Sequence, residues 1–135
     1  METQIFVNLP VKDLDKSKAF YEQLGFTINP QWTDETAACV VISDTIYVML
    51  LTHEKFSQFT DKEIADTHKT VQVLNALSTG SKEEVSDLLD KALKNGGTEA
   101  ADTQDLGFMY SRSFNDPDGH IWEVLWMDME QVPEA

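Results

Sequence analysis

Two glycines at helix stops, Gly25 and Gly96, stand about seventy residues apart, and the order of elements expected around the first repeats around the second. A short β-rich run over 4–9 ends near Pro10, and Asp13 or Asp15 can cap a helix with Ala19, Phe20 and Leu24 as its apolar stripe. Strand-like runs follow at 26–31, 36–43 and 46–52. The second half opens with a strand over 70–77. Ser81 and Glu84 then form a capping-box pair, and Val85, Leu88, Leu89, Ala92 and Leu93 make one apolar helical face that stops at Gly96 and Gly97. Runs at 98–103, 108–114 and 121–127 complete it, the last two joined by the tight turn Asp116-Pro117-Asp118-Gly119.

The expected fold class is therefore α+β, two βαβββ modules whose curved mixed sheets carry their helices outside and enclose a cavity. Module one spans 1–52 and module two 70–129. Between them, 53–69 is a polar linker with room for one short helix, and 130–135 is an acidic tail. A length of 135 residues suits one domain of this kind without disulfides.

Composition narrows the partners. Ten basic against 24 acidic side chains leave a net charge of −14, which repels nucleic acid phosphates and anionic membrane surfaces. No apolar run approaches the roughly 18–20 residues of a membrane helix, and the amino terminus lacks the pattern of a secretory signal, so a cytoplasmic protein is expected. The lone Cys39 sits in an apolar run and is expected to be buried.

Specific residues carry the reading further. Val11-Lys12-Asp13-Leu14, then Ser17, Ala19-Phe20-Tyr21 and Leu24-Gly25-Phe26, resemble the opening of the vicinal oxygen chelate superfamily, which holds glyoxalases, bleomycin-resistance proteins and extradiol dioxygenases. The run from Asp116 through Gly119, His120 and Glu123 to Val124 is similar to the superfamily's closing turn and last strand. Asn8-Leu9-Pro10-Val11, Val48-Met49-Leu50-Leu51-Thr52 and Gly107-Phe108-Met109-Tyr110 most resemble the bacterial branch labelled predicted lactoylglutathione lyases. That label is itself a fold-level inference.

The resemblance implies a divalent metal, such as Zn, Ni, Mn or Fe, held by histidine and carboxylate side chains from four strands. Carried onto this chain, the first ligand position falls on Phe6. The second falls on Leu50 or its neighbour Met49, and the third near Leu74, with Gln72 and Asn75 as the polar residues close by. Only the last, Glu123, keeps a carboxylate. The usual metal site is thus expected to be dismantled and no cofactor is expected, since one carboxylate does not hold a catalytic transition metal.

Strand alternation in the last run places Glu123 with Ile121 and Leu125, away from Trp122, Val124 and Trp126, so Glu123 is expected on the cavity face as a candidate acid or base. Arg112, the sole arginine, is expected to pair with Glu123, to grip a substrate carboxylate or to form a surface ion pair. His120 is a candidate catalytic residue or a brace for its turn. Phe6, Asn8, Leu50, Thr52, Gln72, Leu74 and Tyr110 are candidate ligand contacts. The function expected is binding of a small organic molecule by a homodimer. The alternatives are a metal-independent lyase or isomerase using Glu123, and a metal-dependent lactoylglutathione lyase-like enzyme with shifted ligands.

Overall fold

The computed structural model describes residues 2–131, which divide into two compact units, one up to Thr70 and the other from Val71. The part of the acidic tail beyond Gln131 lies outside the described residues.

In the first unit, β1 (Ile5–Val11), β2 (Thr27–Asn29), β3 (Ala37–Val41) and β4 (Ile46–Thr52) form a sheet in the order β1-β4-β3-β2, with β1 parallel to β4 and the other pairs antiparallel. The second unit repeats this arrangement. Its strands β5 (Leu74–Ser78), β6 (Thr98–Asp105), β7 (Met109–Asn115) and β8 (Ile121–Met127) lie in the order β5-β8-β7-β6, again with the first parallel to the last. The repeat of helix and strand order seen in the sequence is thus a repeat of topology, and neither sheet closes on itself.

Local chemistry sets the helix limits. Helix α1 (Leu14–Gln23) starts where the Asp13 carboxylate accepts from the Lys16 amide at 3.1 Å, and it ends before Gly25, whose φ of 102° lies in the left-handed region. Helix α3 (Lys82–Lys94) starts where Ser81 Oγ accepts from the Glu84 amide at 3.1 Å. The Glu84 carboxylate reaches back to the Gly80 amide at 2.7 Å, one residue before the cap itself. A single turn, α2 (His53–Phe56), lies against β1 and β4, so the start of the expected linker packs on the first sheet.

Several strand limits differ from the sequence expectation. β2 stops at Asn29 because Pro30 has no amide hydrogen for the ladder, and a 3-10 turn over Pro30–Trp32 takes over. β1 instead runs through Pro10, which an edge strand tolerates. β5 begins only at Leu74, leaving Val71 and Val73 exposed. In α1 the buried face is Leu14, Ser17, Phe20 and Tyr21, while the expected stripe residue Ala19 is exposed.

A helix covers one face of each sheet, and the opposite face of the first sheet is exposed at Asn8 and buried at Ala37, Cys39 and Leu51. Helix α1 lies against β3 and β4, and the residues in register on one face, Val11, Ala38, Val40, Val48 and Leu50, are fully buried. In the second unit α3 lies against β7 and β8, and its Val85, Leu89 and Ala92 are buried together with Phe114, Trp122 and Val124. The tryptophan-bearing face of β8 is the helix-covered one, as alternation in the sequence indicates.

Leu50 and Met49 are neighbours in sequence on opposite faces of β4, and their truncations should separate. Leu50→Ala is expected to lower unfolding free energy by about 2–5 kcal/mol and Met49→Ala by less than half as much, read from urea denaturation midpoints.

Candidate functional site

On the open face of the first sheet, Phe6 of β1 stands in register with Tyr47 of β4, and Asn8 with Met49. The Phe6 and Tyr47 rings stack at 4.8 Å between centroids and within 10° of parallel. Trp32 stacks on Phe6 as well, at 5.7 Å and 15°. Phe6 is therefore the shared member of a three-ring ladder. Trp32 has 55% of its surface exposed although one of its faces meets Phe6.

The segment that carries Trp32 is fastened on both sides. Asn29 Oδ1 accepts from the Gln31 amide at 3.0 Å, and Thr33 Oγ1 donates to the Asn29 carbonyl at 2.7 Å while accepting from the Cys39 amide at 3.1 Å. Asp34 Oδ1 accepts from the Thr36 amide at 2.7 Å, the Thr36 hydroxyl at 2.8 Å and the Ala37 amide at 3.0 Å. Bonds to Thr36, from its amide and then its hydroxyl, hold the Asp34 carboxyl below its ordinary value of 3.8. Tyr47 is held at its tip, its hydroxyl donating to the Asp44 carbonyl at 3.0 Å. Cys39 is buried, as expected, and burial pushes its thiol pKa up.

Two candidates on β4 are corrected by register. Leu50 shares its face with Leu9 and Val48 and is sealed beneath α1, so Met49 and not Leu50 takes the open-face position beside Asn8. Thr52 is on the covered side too, and its hydroxyl accepts from the Lys55 amide at 3.2 Å as the cap of α2. Asn8 is exposed on the open face, its amide nitrogen donating to the Phe6 carbonyl at 3.3 Å.

In the second unit Glu123 is half-buried on the open face, in register with Ala76 of β5 on one side and Ser113 of β7 on the other. Leu74 shares that face and is exposed. Gln72 lies before β5 and is exposed, outside the ladder, and Asn75 turns to the opposite face beside Trp122. Ser113, only 7% exposed, is a neighbour of Glu123 that the sequence reading missed, though alternation along β7 was the signal for it.

Arg112 is opposite Val124, on the α3 side, and so on the face away from Glu123. It donates to Glu99 at 2.9 Å and sits 3.6 Å from Asp90 of α3. Of the alternatives for Arg112, pairing with Glu123 fails because adjacent residues of a strand face opposite ways, and the ion pair is the one formed. Tyr110 is on the same covered side, its hydroxyl 3.4 Å from Ser86 Oγ, with the Lys82 ammonium over its ring and over that of Trp126. His120 is buried next to the Asp116 turn. Its amide donates to Asp116 Oδ1 at 2.9 Å, as does that of Asp118, and the Asp116 amide returns a bond to the His120 carbonyl.

The positions where the resemblance puts metal ligands hold a stacked phenyl ring, a thioether on the open face of β4, an exposed leucine and one carboxylate. Among the described residues no group of three His, Cys, Asp or Glu converges to hold a metal ion. These donors do not fit the divalent metal of the superfamily.

Residues 3–43 match the family model described as Bleomycin resistance protein-like N-terminal. A hypothetical protein from S. aureus of solved structure is 30% identical over 93% of this chain and 95% of its own, with a TM-score of 0.77. This chain belongs to the vicinal oxygen chelate superfamily. Its fold is shared with a glyoxalase/bleomycin resistance protein/dioxygenase family enzyme from Burkholderia phytofirmans, at 18% identity over 93% and 99% of the two chains and a TM-score of 0.76. It is shared too with the bleomycin resistance determinant encoded on transposon Tn5, at 19% identity over 94% and 99% and a TM-score of 0.65. Among curated proteins, none matches this vicinal oxygen chelate chain.

Two measurements check this geometry. Arg112→Ala should lower stability by about 1 kcal/mol in urea denaturation, since both carboxylate partners are more than half exposed. Because Asp34 binds its proton less readily folded than unfolded, its stabilising effect is present above 3.8 and is lost as pH falls through the lower folded value. The Trp32 component of the fluorescence, obtained by subtracting Trp32→Phe, should hold steady down to that pH and shift to the red below it. In Asp34→Asn the acid shift should disappear.

Proposed function

We propose that this chain binds a small organic molecule against the open face of its N-terminal sheet, through ring stacking and apolar contact and without metal chelation. The observation that carries this reading is the Phe6 ring stacked with both Trp32 and Tyr47 at the position where the superfamily's metalloenzymes place a ligand. Binding fits such a surface because aromatic side chains offer large, rigid contact area at little conformational cost. The Tn5 relative is named as a bleomycin resistance determinant, a kind of protein for which binding without reaction would suffice. The branch label of lactoylglutathione lyase finds less support here, since it needs the metal that these donors do not fit.

Glu123 supports a second reading, a metal-independent lyase or isomerase. It is a half-buried carboxylate on the open face, flanked in register by Ala76 and Ser113. In that chemistry it would move a proton beside a carbonyl, with Ser113 within the same surface. Arg112 and Tyr110, turned to the α3 side, would take no direct part. The reading also takes the protein to be a cytoplasmic homodimer. Val71, Val73 and Leu74 support the dimer as exposed apolar residues in an otherwise acidic chain, and no helix among the described residues is long and apolar enough to cross a membrane.

A neutral apolar fluorophore, N-phenyl-1-naphthylamine, tests the binding reading. It should saturate at a stoichiometric level, keep its affinity after dialysis against EDTA and lose about five- to tenfold in Phe6→Ala, provided circular dichroism shows that variant folded. Non-saturating fluorescence would sink the binding reading. Glu123→Gln should leave this affinity unchanged. If a turnover assay finds a reaction, the same substitution should abolish it.

A further inference from the structure

Helix α3 passes into β6 through Asn95-Gly96-Gly97, a joint that plays no part in the binding reading. We infer that this joint is a site of spontaneous covalent modification, in which Asn95 cyclises with the Gly96 amide and reopens to aspartyl and isoaspartyl products that weaken the end of α3. The Gly96 nitrogen bonds to Asn95 Cγ, the Cγ–Nδ2 bond breaks, and Nδ2 departs as ammonia with the proton that the Gly96 nitrogen gives up. Water then opens the succinimide, its hydroxyl going to one imide carbonyl carbon and its proton to the Gly96 nitrogen. Cleavage at Cγ leaves aspartate, and cleavage at the main-chain carbonyl carbon leaves isoaspartate, with the backbone running through the former side chain. Water is the only co-reactant.

The structure singles out this pair. Gly96 is exposed, its amide makes no hydrogen bond among the described residues, and the space where a Cβ would stand is open, so the nucleophile is unengaged and uncrowded. The other asparagines lack such a neighbour. Asn8 and Asn75 precede Leu9 and Ala76 inside the β1 and β5 ladders, Asn29 precedes Pro30, which has no amide hydrogen, and Asn115 precedes Asp116, whose amide donates to the His120 carbonyl at 2.9 Å. Asp118-Gly119 has the same ring-forming chemistry, yet Gly119 is buried and its amide donates to the Asp116 carbonyl at 2.9 Å.

The folded cap holds the reacting atoms apart. Asn95 has ψ of 22°, which turns its Cβ away from the Gly96 nitrogen, and its Nδ2 donates to the Lys91 carbonyl at 2.7 Å. Ring closure therefore waits for the last turn of α3 to open, a local motion that helix ends make far more readily than a core. Once formed, the product has lost the donor to Lys91 and sets a carboxylate against that carbonyl, at the negative end of the helix dipole. The exposed Lys91 and Lys94 offset this only weakly. Isoaspartate also lengthens the main chain between α3 and β6.

The test incubates the intact protein at physiological temperature and mildly alkaline pH, then cuts it with glutamyl endopeptidase at acid pH, where deamidation during handling is suppressed. The fragment 85–99 is followed by mass and by isoaspartyl methyl acceptance. Product should accumulate at Asn95 alone, form faster as pH rises and the amide nitrogen gives up its proton more readily, and vanish in Asn95→Gln, with circular dichroism confirming that variant folded. A free peptide of residues 91–99 should react at least about fivefold faster than the folded chain. Asn95→Asp, which installs the aspartyl product directly, should unfold at a lower urea concentration than the parent.

If the intact protein gains no more isoaspartate than Asn95→Gln over an incubation that converts the free peptide completely, the inference is overturned, and equal yields at Asn8, Asn75 or Asn115 overturn it too. Equal rates in chain and peptide would remove the gate at the end of α3. An unchanged urea midpoint for Asn95→Asp, together with an unchanged midpoint for the aged protein, would remove the weakening.

Discussion

The parallel pairing of each unit's first strand with its fourth is the constraint on which the remaining geometry depends. Two parallel strands cannot be joined by a tight turn, so the chain between them must cross over, and it does so with a helix and two further strands. The helix then covers one face of the sheet and leaves the other open. From that point the period of two along a strand decides the fate of every side chain. Val48 and Leu50 go under α1, while Tyr47 and Met49 face outward beside Phe6 and Asn8. The same rule sends Trp122 and Val124 under α3 and leaves Glu123 on the open side.

The elements most legible in the sequence were those fixed by local chemistry. Ser81 and Asp13 mark helix starts because a side-chain oxygen there meets an amide that the helix cannot satisfy. Gly25 and Gly96 mark the ends because both residues need positive φ. Their spacing, with the order of elements around them, exposed the duplication although residue identity between the halves is slight. Less legible were the strand ends, where pairing rather than propensity decides. Residues 70–73 alternate well enough for a strand but lie outside the β5–β8 ladder, and Pro10 lies inside β1 because that strand is at the edge.

The face on which a residue sits was legible where alternation within one strand sufficed and not where two strands had to be set in register. Glu123 was placed by its own neighbours Ile121 and Leu125. For Arg112 the sequence left pairing with Glu123, a substrate contact and a surface ion pair open, and a displacement of one residue decides between them: Ser113 is opposite Glu123, and Arg112 forms ion pairs with Asp90 and Glu99. The same single step separates Leu50 from Met49. Trp32 escaped notice for another reason. It belongs to no strand, and only the turn that begins at Pro30 carries its ring across to Phe6, a contact between residues far apart in sequence that no periodicity announces.

That turn bears on how a fold built around metal chemistry can serve a different purpose. A chelating site needs several donors to converge, and losing one leaves the others with little reason to persist. A stacking site needs only flat rings held parallel, and the sheet already supplies two of them, since residues in register on neighbouring strands stand within about 5 Å. With phenylalanine at the first-strand position and Tyr47 opposite, adding Trp32 from a loop completes a ladder with no further change to the sheet. The cost of holding the third ring falls on Asn29, Thr33 and Asp34, whose bonds run within the turn and to the Ala37 and Cys39 amides of β3. The helix-covered face holds Val11, Val48 and Leu50 in the core, and the one-residue alternation along β1 and β4 sets Phe6, Asn8, Tyr47 and Met49 on the other face, which is itself buried at Cys39 and Leu51.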